Sequence, residues 1–147
     1  MATLTFPVQS DGLICDVLIG LDGKATAAKA TSGQPILAPV LCRGMVDTGT
    51  DVTCVAQAVL RKLALTVPVG QTRTGSTTGS APVNLFEASV NVLDLRNPSG
   101  PKLVLPDVLV MELPQPLTNL DVLIGLDVLL TARLFLDGPR REFTLDF

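Results

Sequence analysis

Gly44-Met45-Val46-Asp47-Thr48-Gly49-Thr50-Asp51 is the segment on which the interpretation of this 147-residue chain depends. Residues 35–46 form an apolar run that leads into it, so we predict a buried strand that ends in a carboxylate, a hydroxyl group and a glycine. Burying a carboxylate is costly unless hydrogen bonds or a charged partner stabilise it, so Asp47 needs a structural or a chemical reason. The structural alternative is a turn in which Asp47 and Thr48 accept local backbone hydrogen bonds and Gly49 adopts a conformation that other residues avoid.

The composition narrows the chemistry that this carboxylate could perform. The chain has no histidine, which removes Ser-His-Asp and Cys-His nucleophilic schemes and the usual histidine-containing zinc sites. Carboxylates are therefore the acid–base groups that we favour, and we expect neither a metal nor a cofactor. Cys15, Cys42 and Cys54 have apolar neighbours and form no Cys-x-x-Cys pair, so we interpret them as buried structural thiols rather than as a redox or metal site.

Charge and hydropathy argue against nucleic-acid and membrane partners. The formal net charge is -3, and the chain has neither Trp nor Tyr, so it offers no basic surface and no stacking platform for bases. Residues 1–20 lack the basic start of a signal peptide, and prolines and acidic residues interrupt the longest apolar run, residues 103–113. We expect one domain over residues 1–147, located in the cytoplasm.

The pattern of apolar residues predicts a mainly β chain. Residues 24–34 are rich in Ala, Thr and Ser and are expected to form a loop or a weak hairpin extension. Short helices are expected at residues 56–63 and 128–133, with Asp127 as the N-cap of the second. Strands are predicted at residues 3–8 (an edge strand), 13–21, 35–46, 51–55, 83–95, 103–113 (broken or bent at Pro106) and in a closing hairpin at 133–147.

A glycine-punctuated segment, residues 70–82, separates two of these predicted strands. It carries six hydroxyl side chains, which are typical of a hairpin tip. The tip is either a plain surface loop or a mobile cover over a site.

The heptapeptide Asp-Val-Leu-Ile-Gly-Leu-Asp occurs twice, at residues 16–22 and 121–127. A turn signal follows the first copy and a helix-forming run follows the second. We therefore predict that the two copies have different structures, and that only the second belongs to a functional site.

The order of these motifs resembles that of the single-lobed, retropepsin-like aspartic proteases, and it is closer to the cellular and bacterial members than to the retroviral ones. The matching residues are 46–51 with Thr53, followed by Leu123-Ile124-Gly125-Leu126-Asp127, within a resemblance that spans residues 13–147. The resemblance implies a mainly β, closed barrel or sandwich with a glycine-rich flap hairpin and one or two short helices.

The resemblance also implies an aspartic endopeptidase. In this family two aspartates share a proton, and one acts as base toward a water molecule while the other acts as acid toward the substrate carbonyl. The chain has one Asp-Thr-Gly, so a homodimer is implied in which each copy contributes Asp47. The Thr48 hydroxyl would bond across the two-fold axis, Gly49 would admit the substrate backbone, and Gly125 would pack against the active-site loop.

Further residues acquire roles only through this resemblance. The substrate would be a peptide or an unfolded protein that binds as an added strand, with apolar subsites because the chain has few charges. The active-site loop would be supported by Thr48, Gly49, Thr50, Asp51, Gly125 and Asp127, and the flap would comprise Thr74, Gly75, Ser76, Thr77, Thr78 and Gly79.

One departure from the family pattern concerns Leu126. Retroviral members carry arginine there, which pairs with the carboxylate that corresponds to Asp51. Two alternatives to the enzyme stay open: a catalytically inactive module of the same fold that dimerises or binds peptides, and a structural β domain with an accidental Asp-Thr-Gly.

Overall fold

The computed structural model describes residues 1–76 and 79–147, which are mainly β. The elements are β1 (Thr3–Pro7), β2 (Ile14–Leu21), α1 (Gly23–Ser32), β3 (Val40–Val46), β4 (Cys54–Val55), α2 (Gln57–Lys62), β5 (Gly70–Ser76), β6 (Gly79–Leu93), β7 (Leu103–Glu112), β8 (Val122–Ile124), α3 (Leu126–Leu129), β9 (Arg133–Asp137) and β10 (Glu142–Asp146). The predicted fold class is confirmed.

A closed barrel forms the body of the described structure. Its strands follow the order β2-β3-β8-β4-β7-β6, and pairing between β2 and β6 closes the ring. Alternate residues of each strand point inward, so Val17, Ile19, Val90, Val92 and Ile124 are fully buried in the core. β5 continues this sheet beyond β6 as one arm of a hairpin.

The strands near the two chain ends form a second sheet, in the order β1-β10-β9, which we call the terminal sheet and which packs against the barrel. Leu4 and Phe6 of β1 and Phe143 and Leu145 of β10 are buried on the face that joins the core. The rings of Phe6 and Phe143 stack with their centroids 5.2 Å apart. The predicted edge strand and closing hairpin are confirmed, and β10 lies between two neighbours.

The prediction of a loop or hairpin extension at residues 24–34 is wrong, because this segment is helix α1. The Asp22 side chain accepts a hydrogen bond from the amide of Ala25, which caps the start of the helix, and Gly33 ends it with a left-handed φ of 68°. No residue of α1 is buried. The helix is stabilised by its cap and its alanine-rich composition rather than by burial of one face. Its sequence therefore lacks the apolar periodicity by which a helix is usually predicted.

Helix α3 begins two residues earlier than predicted. Gly125 is its N-cap, and Asp127 lies in the first turn, so the prediction of Asp127 as the N-cap is wrong. The expectation that a plain turn follows the first heptapeptide is also wrong, because Asp22 leads directly into α1. Helix α2 agrees with its prediction.

Proline shortens one predicted strand and bends another. Residues 35–39 precede β3 and are exposed, so the predicted strand at 35–46 is shorter than expected, with Pro35 and Pro39 unable to donate to a ladder. In β7 the register shifts where Pro106 and Asp107 lie opposite one residue of β6, which confirms the predicted bend.

None of the described helices is both long and apolar enough to cross a membrane.

Candidate active site

Asp47 lies directly after β3, at the end of a barrel strand. Its amide donates to the carbonyl of Ile124 in β8 at 2.9 Å, and its carbonyl accepts from the amide of Thr50 at 3.4 Å. Its Oδ1 accepts from the amide of Gly49 at 2.9 Å, which is the local turn bond expected from the sequence. The carboxylate is half-buried and held in place by backbone on both sides.

Gly49 serves the turn through its small size. Its φ is outside the left-handed region, so the expectation of a conformation closed to other residues is wrong. A Cβ atom added there would lie 3.1 Å from Oδ1 of Asp47. Thr48 and Gly49 are both exposed in the single chain, so the tip of the loop faces outward beside the carboxylate.

Gly125 packs against the Asp47 loop at a distance that excludes any side chain. A Cβ atom added to it would lie 2.8 Å from the carbonyl carbon of Val52, 2.9 Å from the amide nitrogen of Thr53 and 3.0 Å from the carbonyl oxygen of Thr50. All three atoms belong to the backbone, which cannot rotate away. Gly125, which the resemblance implies packs against the active-site loop, therefore has no room for any larger residue.

Two backbone bonds join the loop to the start of α3. The amide of Leu126 donates to the carbonyl of Thr50 at 2.9 Å, and the amide of Asp127 donates to the carbonyl of Asp51 at 3.1 Å. The Thr50 hydroxyl in turn donates to the carbonyl of Val52 at 2.9 Å. The loop after Asp47 is thus fixed to the second heptapeptide at successive residues.

Thr53, a matching residue of the family motif for which the sequence predicts no role, connects these segments through its side chain. Its hydroxyl donates to Oδ1 of Asp127 at 2.7 Å and accepts from the amide of Gly125 at 3.0 Å. Its amide donates to both carboxylate oxygens of Asp127, at 3.1 and 3.0 Å, and the amide of Val128 donates to Oδ1 at 2.9 Å. Thr53 is fully buried, and a buried hydroxyl group needs hydrogen-bond partners. The sequence signal for such a residue is a single threonine between apolar neighbours.

Asp51 has no ion-pair partner among the described residues, and its side chain is exposed. Leu126, at the position of the retroviral arginine, is half-buried against the core. The carboxylate that ties the loop to the helix is that of Asp127, which Thr53 and Val128 hold. In this chain the clasp between loop and helix is therefore made by hydrogen bonds from a neutral side chain and backbone amides.

The predicted flap is a hairpin of β5 and β6 within the described residues. Thr74 pairs with Ala81, Gly75 with Ser80 and Ser76 with Gly79, while Thr77 and Thr78 lie outside the described residues. Gly79 has a φ of 130°, which favours glycine. A cleft of about 530 Å³ lies beside the hairpin, and Asp47 does not line it; the lining residues are Thr74, Gly79, Ser80, Ala81, Leu113, Pro114, Gln115 and Leu117.

The three cysteines are free and buried, as the apolar neighbours predict. Burial raises the pKa of the Cys15 and Cys42 thiols to about 12. The pKa of Cys54 is also raised, chiefly by burial, with the charges of Asp127 and Asp47 acting in the same direction. Within the described ranges, no cluster of three or more Cys, Asp or Glu side chains could hold a metal ion.

Comparison with solved structures shows the fold. A crystal structure of a retropepsin-like aspartic protease from Rickettsia conorii matches with a TM-score of 0.59 and 13% identity, over 97% of this chain and 89% of that one. This chain therefore has a retropepsin-like fold. No protein-family model and no curated protein matches its sequence.

Two foamy-virus structures match less well. The solution structure of the Simian Foamy Virus (mac) protease gives a TM-score of 0.44 at 16% identity, over 79% of this chain and 90% of that one. The foamy viral protease-reverse transcriptase in complex with an RNA/DNA hybrid gives 0.46 at 14% identity, over 82% of this chain and 12% of that one. The assignment of the fold rests on the Rickettsia structure.

Proposed function

We propose that residues 1–147 form one aspartic endopeptidase domain that acts as a homodimer with Asp47 of each copy at the catalytic centre. The observation that carries the proposal is the Asp47 carboxylate at the end of a barrel strand, fixed by Ile124 and Gly49 in a retropepsin-like fold. Only one Asp-Thr-Gly occurs in the chain, so a second copy must supply the second carboxylate.

The chemistry follows from the mutual repulsion of two adjacent carboxylates. Such a pair holds one proton between its members and titrates as a unit. The ionised Asp47 removes a proton from water as the water oxygen attacks the peptide carbonyl carbon, and the protonated Asp47 donates to the carbonyl oxygen. Collapse of the tetrahedral intermediate breaks the C–N bond, and the amine leaves with a proton from the pair.

The hydrogen bonds of the residues around Asp47 limit the positions that its carboxylate can take. Thr48 and Gly49 are exposed beside the carboxylate, which suits contact with a second copy and with a substrate backbone. The bonds of Thr50, Asp51, Gly125 and Asp127 described above keep the loop in one position, which preorganises the pair. The Thr53 hydroxyl extends that support to the barrel.

The substrate in this proposal is an extended peptide that lies between the Asp47 loop and the β5–β6 hairpin. The flap comprises Thr74, Gly75, Ser76, Thr77, Thr78 and Gly79. Main-chain bonds from the hairpin would hold the peptide, and the cleft beside it, with Leu113, Pro114 and Leu117 in its lining, suits apolar side chains. A cytoplasmic location is part of the proposal, since three free thiols suit a reducing compartment.

The test compares Asp47→Asn with Glu87→Gln. Both substitutions replace a carboxylate by an amide of the same shape, and Glu87 is exposed on β6. Cleavage of an unfolded protein substrate is measured from mildly to strongly acidic pH, with all proteins purified identically. We expect the unsubstituted chain and Glu87→Gln to cleave, and Asp47→Asn to lose activity by roughly a thousandfold or more.

Two results would contradict the proposed endopeptidase activity. Equal cleavage by the unsubstituted chain and Asp47→Asn would identify a contaminating protease. No cleavage by any variant, with a dimer that still binds peptides, would favour the inactive module of the same fold.

A further inference from the structure

Arg43 lies in β3, and its guanidinium joins two turns that are distant from each other in sequence. Nη1 donates to the carbonyl of Asn119 at 2.9 Å and to Oδ2 of Asp11 at 2.9 Å. Nη2 donates to Oε1 of Gln9 at 2.8 Å and to Oδ1 of Asp11 at 3.2 Å. A planar fork of donors therefore fixes both turns to the same strand.

The first of these turns, residues 9–12, connects β1 to β2. The amide of Gln9 donates to the carbonyl of Gly12 at 3.0 Å, and the amide of Gly12 donates back to the carbonyl of Gln9 at 3.2 Å. Gly12 has a φ of 132°, and a Cβ atom added to it would lie 3.1 Å from Sδ of Met45. This turn therefore packs directly on Met45 in β3.

The second turn lies between β7 and β8, where Leu117 and Leu120 form an isolated antiparallel bridge around Asn119, whose φ is 57°. We call it the Leu117 turn. Asp121, which follows it, bonds to β3 twice: its amide donates to the carbonyl of Arg43 at 2.9 Å, and its Oδ2 accepts from the amide of Arg43 at 3.0 Å. The backbone and the side chain of Arg43 thus hold the same turn.

Leu117 lies between two cavities, each of about 530 Å³. One of them is the cleft beside the β5–β6 hairpin. The other is polar, and its lining includes Asp11, Arg43, Asn119 and Asp121. The position of the Leu117 turn therefore determines where the cleft ends and where the polar cavity begins.

Arg43 occupies the same face of the barrel as the Asp47 carboxylate. Arg43, Met45 and Asp47 are half-buried and alternate with buried residues of β3, so their side chains form one outward row. Four residues of strand span about 13 Å, so Arg43 does not reach the reacting atoms. The two turns that Arg43 joins lie beside this row.

We infer that Arg43 is a positioning residue that sets the width of the substrate cleft by holding both turns in place. The inference rests on the proposed function, since it names the residue through which the peptide site selects the size of a substrate side chain. While the Leu117 turn is held, a side chain that enters the cleft meets a fixed wall. Once the turn is released, the wall yields toward the polar cavity and the cleft accepts a larger side chain.

The exposure of the ion pair separates this role from a purely structural one. The side chains of Arg43 and Asp11 are 33% and 47% exposed, and ion pairs at such sites contribute little to stability. The hydrogen bonds from Arg43 hold the pKa of Asp11 below its ordinary value, so the pair stays ionised at mildly acidic pH. Removing the guanidinium should therefore free the turns while the fold and Asp47 stay in place.

The first test asks whether Arg43 holds the turns, and it needs no cleavage. Arg43→Met keeps an apolar stem and removes the donors. Arg96→Met is the matched control, because Arg96 also binds a carboxylate and a backbone carbonyl, at the edge of β1. We expect amide hydrogen exchange at Gly12 and Asp121 to accelerate by roughly threefold or more in Arg43→Met alone. Unchanged exchange at both amides would overturn the inference.

The second test measures which substrate side chains are selected. A series of peptides replaces Leu by Phe at each position near the scissile bond in turn. At one or more of these positions we expect Arg43→Met to raise kcat/KM for Phe relative to Leu by about fivefold. The change should lie in KM, with kcat within about twofold of the parent and the pH profile unchanged, because Asp47 is not disturbed.

Two further variants bracket this result. Arg43→Lys keeps the positive charge but lacks the fork that spans both turns, so its ratio of Phe to Leu should lie between those of the parent and Arg43→Met. Arg96→Met should keep the ratio of the parent. An equal fall in kcat/KM for all peptides, or an equal change of ratio in Arg96→Met, would show that Arg43 only stabilises the fold and would overturn the inference.

Binding of the same peptides to Asp47→Asn, with and without Arg43→Met, gives the ratio independently of cleavage. A changed binding ratio in a chain that does not cleave refutes the endopeptidase activity alone. Cleavage with an unchanged ratio refutes the role of Arg43 alone. A parent chain that neither cleaves nor binds these peptides overturns both.

Discussion

The two copies of Asp-Val-Leu-Ile-Gly-Leu-Asp are identical in sequence, and their first halves also have the same structure. Asp16 accepts from the amide of Leu95 and Asp121 accepts from the amide of Arg43, each at 3.0 Å. Val17 and Ile19 of the first copy and Val122 and Ile124 of the second copy are all buried in the barrel. The copies separate only at Gly-Leu-Asp.

At that point the neighbouring backbone decides what each residue does. In the first copy β2 continues through Gly20 to Leu21, and Asp22 caps an exposed helix. In the second copy β8 ends before Gly125, which is pressed against the Asp47 loop, and Asp127 binds Thr53. Identical heptapeptides thus serve a peripheral helix in one place and the candidate catalytic loop in the other.

Adding one methyl group to each glycine should give the largest difference between the copies. In Gly125→Ala the new Cβ meets backbone atoms at 2.8 to 3.0 Å, whereas in Gly20→Ala it meets the Ser89 Oγ at 2.7 Å, which can rotate. We expect Gly125→Ala to lower the free energy of unfolding by about 3 kcal/mol or more and Gly20→Ala by about 1 kcal/mol. Urea denaturation measures both, and equal losses would mean that the two sites are equally tolerant.

Removing the last carboxylate of each copy should have a smaller effect. Asp127→Ala leaves the buried amide and hydroxyl of Thr53 without their acceptor, which we expect to cost about 2 kcal/mol. Asp22→Ala removes a helix cap and should cost about 1 kcal/mol, together with part of the helical circular dichroism. A larger loss for Asp22→Ala would reverse the ranking of the two copies.

The Thr53 hydroxyl can be removed without changing the volume of the side chain. Thr53→Val leaves the amide of Gly125 without an acceptor, so we expect a loss of roughly 1 kcal/mol in unfolding free energy and faster hydrogen exchange at Gly125. Thr144→Val, at a half-buried threonine of the terminal sheet, is the control and should change stability by less than about 0.5 kcal/mol. Unchanged exchange at Gly125 would mean that the hydroxyl does not hold it.

The smallest difference between the two heptapeptides is expected in the reactivity of the cysteine thiols that lie beside them. With a pKa of about 12, Cys15 and Cys42, near the first copy, carry about one thiolate in ten thousand at pH 8. Cys54 pairs with Leu123 in the second copy, and its pKa is also raised. We expect all three to react with a disulfide reagent only after unfolding. Rapid labelling of the folded protein would show that one of these strands opens.

Local sequence patterns predict most of the barrel strands, whereas their closure into a barrel and the role of the Asp47 loop are implied by the resemblance to the retropepsin-like proteases. The barrel strands alternate buried and exposed residues or run continuously apolar, and the turns between them carry glycine and proline. Helix α1 escaped prediction because none of its residues is buried, so its sequence has no periodic apolar face. The sequence at Asp22 favours a turn, because aspartate is common both in turns and at the N-caps of helices.

The parts of the site that escaped prediction depend on contacts between distant residues. Thr53 and Asp127 are 74 residues apart, and the local sequence around either residue does not predict a contact with the other. The sequence shows leucine at position 126, but it does not show that Thr53 and Asp127 bond to each other, which depends on the packing of Gly125 on the loop. The prediction of Asp127 as the N-cap of α3 is wrong for the same reason, because its carboxylate accepts from the distant Thr53.

The bonds between Ala2 and Phe147 have a consequence for protein engineering. The two residues exchange backbone bonds at 2.7 and 2.9 Å, so the ends of the chain lie about one strand spacing apart, roughly 5 Å. A short glycine linker could join them into a ring, and new ends could be opened in the exposed stretch after Gly33. Anything fused before Ala2 or after Phe147 would emerge side by side, on the same flank of the terminal sheet.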